Sequence, residues 1–539
     1  MPDSATHVAP GQPFDYTAEQ QGIIHSHADT LSINAFAGTG KTATLVGFAE
    51  ARPQQRMLYL AFNKAVAEAA KQRFPSHVDC RTSHSLAFAT CGSRYKHKLG
   101  QPRAHHARDM LKVSLNRDEA LLFADQALRT VSRFLMSGNP TLHLDHVGTG
   151  PAGPLRFDPA DVLAAARRLW DAMQDVQNAA MPMPHDGYLK LYQLAQPDLR
   201  KYDFVLLDEA QDTNPCLFQI FNRQQTGRVL VGDAHQNIYA FRGAMNAMDR
   251  LDGERHALTA SFRFGSAIAD VANALLGTFK NEPLSLEGLG GPSTRGPASD
   301  ALQTVYLHRT NAGLIERAIG LLQANARARI HFVGGAYNYH FETLLDAWRL
   351  MDGEHGAIRD PFLRAFNSVG DLEDYAEATE DREIQARLSV VKKYTYRLPN
   401  LLDQLTTADV SDPTQAVASL TTAHKAKGME WEQVVLGADF PDTMYEHRVP
   451  LTSTHLPKDA EANPLASDEA NLLYVAATRA RRQLAPTGSL NELLAWSARQ
   501  IVTPPSPKKT ATRVAPLPRA RRRATAVPDA VMDPLLGRV

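Results

Sequence analysis

A run of small residues after an apolar stretch defines the first structural unit of this chain, Ala35-Phe36-Ala37-Gly38-Thr39-Gly40-Lys41-Thr42. Residues 31–34 before it are strand-like and residues 43–51 after it are helix-forming, so the pattern predicts a tight loop between a strand and a helix. Glycines in such a loop let several backbone N–H groups face inward, and the following helix directs its positive end to the same point. The segment therefore predicts a cradle for nucleotide phosphates, although Ala35 stands where the pattern usually has its first glycine.

The residues of this loop have the chemistry that ATP binding needs. Lys41 is placed to reach the β- and γ-phosphates, and the hydroxyl of Thr42 is placed to hold Mg²⁺. The candidate phosphate-binding residues are Ala37, Gly38, Thr39, Gly40, Lys41 and Thr42. We therefore expect ATP and Mg²⁺ as cofactors.

An acidic cluster, Asp208-Glu209-Ala210-Gln211-Asp212, follows a strand-like run that begins at Phe204. Asp208 is placed to bind Mg²⁺ through water and Glu209 to polarise the attacking water, the two tasks that phosphoryl transfer to water requires. The alternative is an acidic helix N-cap, which stabilises the helix dipole and has no catalytic role. The phosphate loop earlier in the chain favours the catalytic interpretation.

Length and composition limit the class of protein. With 539 residues the chain is too long for one core and predicts about two to four domains, and its 44% apolar and 22% charged residues are typical of globular proteins. Basic and acidic residues number 58 each, so net charge alone predicts no polyanion partner. The charge is uneven, however, because residues 502–539 hold eight basic residues and two acidic ones. Their seven prolines predict a disordered tail.

Cysteine usage and hydropathy favour a cytoplasmic protein. Three cysteines are too few for a disulfide framework, and the spacing of Cys80, His84 and Cys91 matches no common zinc signature. No apolar run reaches the ~18 residues of a membrane span. Residues 1–13 are polar, unlike a signal peptide.

Apolar strand-like runs alternate with helical patterns along the chain. The predicted strands include residues 57–62, 204–207, 229–231, 330–333 and 434–436. This alternation predicts an α/β fold with parallel sheets covered by helices and with ligands at the carboxyl ends of the strands. Two stretches, about 95–195 and about 341–414, have mainly helical patterns, so we interpret both as insertions into sheet domains.

Nine segments, in the same order as the family's motifs, resemble the UvrD/Rep-like superfamily 1 DNA helicases. They are Tyr16-Thr17-Ala18-Glu19-Gln20, the phosphate loop, Phe62-Asn63-Lys64-Ala65, Thr82-Ser83-His84-Ser85, the acidic cluster, the run from Val231 to Ala244, Ser261-Phe262-Arg263, the run from Thr422 to Trp431, and the run from Asn471 to Ala480. Residues 60–64 and 80–87 are most similar to the helicase core of the F-box DNA helicases. Because the first motif begins at Tyr16, we expect no F-box.

The resemblance implies a nucleotide site built from both halves of the chain. Gln20 would read the adenine edge, Phe262 would stack on the base, and Glu430, in a segment that the resemblance assigns to DNA and ribose coupling, would help to bind the cofactor. The implied catalytic residues are Lys41, Asp208, Glu209, Gln236, Arg263 and Arg479. A guanidinium suits the γ-phosphate because its planar donors follow charge spreading over the phosphoryl oxygens. The two arginines lie in the second half, so they reach ATP only when two sheet domains close over it.

The resemblance also implies a track for single-stranded DNA. Its candidate residues interleave aromatic rings with polar donors: Phe62, Asn63, Thr82, His84, Tyr239, Phe241, Arg242 and His424. Aromatic faces stack on any base at about 1–3 kcal/mol, while hydroxyl and amide groups contact phosphates. The alternative is that Tyr239 and Phe241 fill a core beneath a turn.

The implied architecture is two RecA-like parallel-sheet motor domains with helical insertions. Domain 1A comprises residues 14–94 and 196–257 and is interrupted by a helical insertion 1B at 95–195, while domain 2A comprises 258–340 and 415–500 and is interrupted by a small insertion 2B at 341–414. Residues 501–539 are the basic, Pro-rich tail. ATP would bind between 1A and 2A, and single-stranded DNA would cross both domains.

The implied activity is ATP-dependent 3′-to-5′ movement on single-stranded DNA with strand separation, in DNA repair or recombination. Single-strand/duplex junctions are further expected partners, the tail is expected to contact DNA or a protein, and no membrane is involved. Two alternatives remain open, a translocase that strips proteins from DNA with little unwinding and an ATP-gated DNA-binding scaffold. A fused nuclease is disfavoured because no strand-borne acidic pair with a lysine follows Ala480.

Overall fold

The computed structural model describes residues 15–148, 157–239, 243–360, 362–378, 381–443 and 467–502. The strands of this part of the chain are β1 Thr30–Ala35, β2 Met57–Ala61, β3 Val78–Thr82, β4 Phe204–Leu207, β5 Gly227–Gly232, β6 Glu254–Leu258, β7 Ala260–Ser261, β8 Glu287–Gly288, β9 Thr294–Arg295, β10 Thr304–His308, β11 Ile330–Phe332, β12 Ala418–Thr422, β13 Trp431–Leu436 and β14 Ala480–Ala485.

Helices surround these strands. They are α1 Ala18–Ile24, α2 Lys41–Glu50, α3 Lys64–Arg73, α4 Ser83–Ala87, α5 Ala104–Leu111, α6 Arg117–Met136, α7 Pro159–Gln174, α8 His185–Leu194, α9 Pro215–Asn222, α10 Ser266–Phe279, α11 Asn311–Ala324, α12 Phe341–Asp352, α13 Val369–Ala378, α14 Arg382–Tyr394, α15 Leu398–Ala408, α16 Ala423–Ala426, α17 Ser467–Ala477 and α18 Gly488–Val502. No helix among the described residues is both long enough and apolar enough to cross a membrane.

The first sheet has six strands in the order β3-β2-β4-β5-β1-β6, and its neighbouring strands pair in parallel. Strands β4, β5 and β1 are adjacent, so their carboxyl ends meet at one edge of the sheet. That edge carries the phosphate loop after β1, Asp208 after β4 and Asp233 after β5. A parallel sheet thus brings together three segments that are far apart in the sequence.

The second sheet has the order β11-β12-β10-β13-β14-β9, again with parallel pairing. Glu430 directly precedes β13 and Arg479 directly precedes β14. The backbone N–H of Trp431 donates to the carbonyl of Arg479 at 3.0 Å, which holds these two segments side by side. The amino ends of two adjacent strands therefore present both side chains to the same place.

Each sheet is covered by helices on both faces. Residues of α1, α2 and α3 pack on one face of the first sheet, and residues of the helical stretch from α4 to α9 pack on the other. One core of the second half contains residues of α10, α17 and α18, together with Phe36 and Ala37 of the phosphate loop. Another contains α11 and α12–α15, so the helices between β11 and β12 share a core with the sheet.

The alternation of strands and helices predicts the main elements correctly. The predicted strand at 204–207 coincides with β4, whereas those at 57–62 and 330–333 end one residue too late and those at 229–231 and 434–436 are too short. The sequence patterns miss β3 and β6, the two edge strands of the first sheet, because both are rich in polar residues. Helices α5–α8 and α12–α15 occupy the two stretches with helical patterns.

Two further sequence features can be placed. The three cysteines, Cys80, Cys91 and Cys216, are free and buried. Helix α18 continues to Val502, so the first two residues of the predicted tail are helical. The other residues of that tail, 503–539, lie outside the described residues.

Candidate active site and nucleic-acid surface

The phosphate loop adopts a conformation that its glycines make possible. Gly38 and Gly40 have φ values of 77° and 78°, in the left-handed region that other residues rarely adopt. A Cβ atom at Gly38 would also lie 2.6 Å from the Cβ of Arg263, so the loop has no space for a side chain there. Helix α2 begins at Lys41, directly after Gly40, which directs its amino end into the loop as the sequence predicts.

Asp208 and Glu209 lie at the carboxyl end of β4. The hydroxyl of Tyr59 donates to Asp208 Oδ2 at 2.5 Å, and the backbone N–H of Glu209 donates to Asp208 Oδ1 at 2.8 Å. Glu209 has φ 50° and ψ 45°, a left-handed conformation that costs a non-glycine residue about 1–3 kcal/mol. This strained turn fixes the direction of the Glu209 carboxylate.

Lys41 lies within a group of carboxylates. Its ammonium is 3.3 Å from Glu209 Oε2, and Gln211 donates to the same oxygen at 2.5 Å. Burial alone would lower the pKa of Lys41, but the charges of Glu209, Asp208 and Asp233 together raise it above its ordinary value. The ammonium is therefore a cation held where negative charge has been concentrated.

The same environment shifts the pKa values of Asp208 and Glu209 in opposite directions. Burial, reinforced by the charge of Glu209, raises the pKa of Asp208. For Glu209 burial acts in the same direction, but Lys41 and Lys427 outweigh it and lower its pKa. Glu209 is thus ionised at neutral pH. Asp208, with its buried oxygens, and the hydroxyl of Thr42 on α2 are the hard oxygen ligands that Mg²⁺ prefers, so these residues fit the expected ion.

Arg479 connects the second half of the chain to the end of β5. Gln236 donates through Nε2 to Asp233 Oδ2 at 2.7 Å, and an Nη atom of Arg479 donates to Gln236 Oε1 at 3.3 Å. Arg479 is almost completely buried, which, together with the charge of Arg263, lowers its pKa to about 9. It therefore stays cationic at neutral pH and contacts the residue with which it is predicted to share the γ-phosphate.

Arg263 also belongs to this cluster, although its main partner differs from the expected one. Its Nε donates to Glu430 at 2.7 Å, and an Nη atom donates to the carbonyl of Thr478 at 3.2 Å. The backbone N–H of Phe262 donates to the carbonyl of Gly38 at 2.9 Å, so the segment after β7 lies directly on the phosphate loop. In this structure Glu430 accepts a hydrogen bond from Arg263, whereas the family resemblance implies a role in coupling to the ribose.

Gln20 and Phe262 lie beside the mouth of the loop. A Cβ atom at Gly40 would be 3.0 Å from Gln20 Nε2 and 3.7 Å from the Phe262 ring. Gln20 is buried in the capping box of α1 and donates to the carbonyl of Thr39 at 3.4 Å. Phe262 is 39% exposed and so keeps a ring surface available for stacking.

The predicted DNA-binding residues of the first half differ in exposure and in whether their side chains have partners within the protein. Phe62 follows β2 and is 54% exposed, as a stacking residue should be. Asn63 and Thr82, in contrast, accept hydrogen bonds from backbone N–H groups as N-caps of α3 and α4. The His84 ring is 3.0 Å from a carboxylate oxygen of Asp186. These three side chains therefore have structural partners beside any role in binding.

Tyr239, from the segment after β5, and His424, on α16, line one cavity together with other residues of the second half of the chain. The Tyr239 hydroxyl donates to the carbonyl of His424 at 3.1 Å, and the Lys427 ammonium lies 5.2 Å from the centre of the Tyr239 ring. The adjacent cavity has a volume of about 600 Å³, and Arg309 and Lys425 contribute further basic groups to its wall. Tyr239 is half-buried and packs against a core, as the alternative interpretation expects, and its contact with DNA stays a prediction. Phe241 and Arg242 lie outside the described residues.

Two family models match the chain. The UvrD/REP helicase N-terminal domain matches residues 161–250, and the UvrD-like helicase C-terminal domain matches residues 364–488. The two matched domains are those of the UvrD-like helicase family. This family implies two RecA-like motor domains, which agrees with the two parallel sheets and confirms the predicted fold class.

Proteins similar to this chain include two F-box DNA helicases. The chain is 32% identical to F-box DNA helicase 1 of Gallus gallus over 521 residues, which are 90% of this chain and 50% of the relative. It is 31% identical to F-box DNA helicase protein 1 of Schizosaccharomyces pombe over 527 residues, 89% of this chain and 58% of the relative. The chain thus spans about half the length of these relatives. The RecBCD enzyme subunit RecB of Haemophilus influenzae is 31% identical over 121 residues, 20% of this chain and 9% of that protein.

The sequence patterns did not single out three residues that lie at this cleft. Lys427 Nζ contacts Asp212 Oδ2 at 2.5 Å and the carbonyl of Gln236 at 2.6 Å. Tyr474 is fully buried, and its hydroxyl contacts the backbone of the phosphate loop. The sequence did offer a signal for Lys427 and Tyr474, because each is a polar residue inside one of the nine motif segments. Asp212 had the same signal, because it ends the acidic cluster.

Proposed function

We propose that this chain is an ATP-dependent DNA helicase or translocase that moves 3′-to-5′ along single-stranded DNA in repair or recombination. The observation that carries this proposal is the contact between Arg479 and Gln236 beside the phosphate loop. It joins the two sheet-bearing halves of the chain at the place where the γ-phosphate would lie. A nucleotide bound there would interact with both halves, so its hydrolysis would change how the two halves interact.

The residues of the cleft suit hydrolysis of a phosphoanhydride bond. Phosphates in the loop would offer Lys41 new partners, which would release the Glu209 carboxylate from its ion pair to accept a proton from water. Arg263 and Arg479 would stabilise charge on the γ-phosphoryl oxygens, since their guanidinium groups already point into the same cluster. Thr42 and Asp208 would hold Mg²⁺, which neutralises phosphate charge when bound.

The domain division from the sequence remains our proposal. Motor domain 1A would carry the phosphate loop and the acidic cluster, and motor domain 2A would carry both arginines. Insertions 1B and 2B would correspond to α5–α8 and α12–α15. Closure of 2A on 1A would tighten the contacts of Arg263 and Arg479 when ATP binds.

Single-stranded DNA is the proposed track. Exposed Phe62 on the first half, and the basic cavity that Tyr239 lines together with His424 and other residues of the second half, would contact one strand. Aromatic stacking and phosphate contacts tolerate every sequence, which a motor that steps along DNA requires. Thr82, His84, Phe241 and Arg242 complete the proposed track. Junctions between single and double strands would be reached by the same surface.

One observation favours a second candidate, a translocase that displaces bound proteins with little unwinding. Helices α12–α15 share a hydrophobic core with α11 and β11, so they are packed onto the second sheet. A short insertion fixed in this way is better suited to supporting the motor domain than to separating the strands of a duplex. The complete catalytic set argues against a scaffold without hydrolysis.

The decisive experiment combines hydrolysis and unwinding. ATP turnover is measured with and without single-stranded DNA, and unwinding is then measured on duplexes with a 3′ or a 5′ overhang, with Lys41→Ala as the control. DNA-stimulated turnover and unwinding from the 3′ overhang alone would support the helicase. Turnover with displacement of bound protein but no unwinding would support the second candidate. Turnover that DNA does not stimulate would contradict both.

A further inference from the structure

One buried hydroxyl group joins the two halves of the chain at the phosphate loop, and none of the roles above uses it. Tyr474 lies on α17, in the second half, and has no exposed surface. Its oxygen accepts a hydrogen bond from the backbone N–H of Ala37 at 3.0 Å. The same hydroxyl donates to Asp233 Oδ2 at 3.0 Å. One side chain of the second half therefore touches both the phosphate loop and the end of β5.

The direction of these hydrogen bonds follows from the chemistry of the groups. A backbone N–H can only donate, so the Tyr474 oxygen must be its acceptor. The remaining O–H proton then points to the Asp233 carboxylate. Burial, followed by the charge of Asp233, raises the pKa of Tyr474 well above its ordinary value, so the hydroxyl keeps this proton.

The chain of bonds continues to the residues predicted to meet the γ-phosphate. Asp233 Oδ2 also accepts from Gln236 Nε2 at 2.7 Å, and Gln236 Oε1 accepts from Arg479. Because the amide nitrogen of Gln236 faces Asp233, its oxygen must face Arg479. The carboxylate that fixes this orientation is itself held by Tyr474. Arg479 lies two residues after the end of α17, the helix that carries Tyr474, so this series of hydrogen bonds begins and ends within one short stretch of sequence.

We propose that Tyr474 is a positioning residue for ATP hydrolysis: its hydroxyl holds Asp233 against the phosphate loop and thereby orients Gln236 and Arg479. This inference rests on the proposed function. Without the hydroxyl, the Ala37 N–H would lose its acceptor and the Asp233 carboxylate would lose one of its donors inside the cleft. Lys41 and the other loop residues would remain in place, so the loss would fall on the hydrolytic step more than on nucleotide binding.

The test is Tyr474→Phe, which removes one oxygen and keeps the ring, packed edge-on to His235. We expect kcat for DNA-stimulated ATP hydrolysis to fall about 10-fold or more, with less than about a 3-fold change in KM and in the dissociation constant of ATP. Tyr202→Phe is the matched control, because Tyr202 is also buried and donates to a carboxylate, Asp79, at 2.7 Å, away from the cleft. Its kcat should equal that of the wild type.

A double variant separates positioning from a merely structural effect. If Tyr474 acts through Gln236, Tyr474→Phe should lower kcat little further in a Gln236→Ala background. Additive losses would overturn the inference, as would an unchanged kcat in Tyr474→Phe or a loss of ATP affinity as large as the loss of kcat. A wild-type protein without ATP turnover would overturn the proposed function together with this inference, whereas wild-type turnover that Tyr474→Phe does not alter would overturn the inference alone.

Discussion

The proposed nucleotide side of the molecule and its proposed DNA side are built on different principles. Around the phosphate loop the functional side chains are bonded to one another, as Lys41 is to Glu209 and Gln236 is to Arg479. On the DNA side, the Phe62 side chain is 54% exposed, while Asn63 caps the amino end of α3. One surface is a network of buried charges, and the other is a set of separate contacts on the ends of strands and helices.

The difference follows from the ligands. A nucleotide has one shape and a fixed arrangement of charge, so a site gains most when its donors and carboxylates are oriented before binding. Single-stranded DNA of any sequence offers only ring faces and phosphates, which exposed aromatic and polar groups can grip one at a time. Changes on the nucleotide side should therefore be severe and cooperative, and changes on the DNA side should be graded.

The largest expected effect is that of Lys41→Ala. Its removal deletes the cation that reaches the phosphates and leaves Glu209, Asp208 and Asp233 without their compensating charge. ATP hydrolysis should fall to background, while affinity for single-stranded DNA should stay near the wild-type value because the two surfaces are separate. Both are measured on the same preparation, by phosphate release and by fluorescence anisotropy. DNA-stimulated turnover in this variant would contradict the assignment of the loop.

Arg479→Ala should come next, with a loss on the order of 10³-fold in kcat, since a guanidinium at the γ-phosphate acts mainly in the transition state. Arg479→Lys keeps the positive charge but loses the planar donors, so it should recover only part of the rate. Nucleotide affinity, measured by titration with a fluorescent ATP analogue, should change much less than kcat in either variant. A loss confined to affinity would show that Arg479 binds ATP without assisting hydrolysis.

Glu209→Gln should slow hydrolysis at least ~10²-fold and still allow ATP and DNA to bind. Glutamine matches the shape of glutamate in the strained turn, so the backbone geometry at φ 50° has no reason to change. Single-turnover hydrolysis and equilibrium binding test this together. Failure to bind ATP would identify Glu209 as a structural residue.

The nucleotide side was also the easier one to predict from the sequence. Each of its residues is predicted to perform one step of a known chemistry, so the types and order of Lys41, Asp208 and Glu209 were enough to propose a site whose residues lie together in the structure. The partners within the cleft were harder, since Glu430 pairs with Arg263 and Tyr474 reaches the loop only after two sheets have formed. Strands such as β12 were missed for a related reason, because its small and hydroxyl residues become fully buried only through tertiary packing.

On the DNA side, Phe62→Ala should weaken single-strand binding by about 5- to 150-fold, the range that corresponds to one stacking contact of about 1–3 kcal/mol. Basal ATP turnover without DNA should not change. Phe62→Tyr is the matched control, because it keeps an aromatic face and should bind almost as well as the wild type. Equal affinity in Phe62→Ala and the wild type would remove Phe62 from the track.

The smallest effect is expected from the basic tail. Its eight basic residues oppose a body with an excess of acidic ones, so we infer that the tail tethers DNA phosphates or a protein partner. Truncation after Val502 keeps α18 whole, and a full-length control replaces Arg519, Arg521, Arg522 and Arg523 with serine. If the tail contacts DNA, each lost phosphate contact should remove about 0.7 from the slope of log affinity against log salt, in both variants, with ATP turnover at saturating DNA unchanged. An unchanged slope would leave the tail to a protein partner or to no role in binding, and the residues of the proposed DNA side would then account for all of the affinity for DNA.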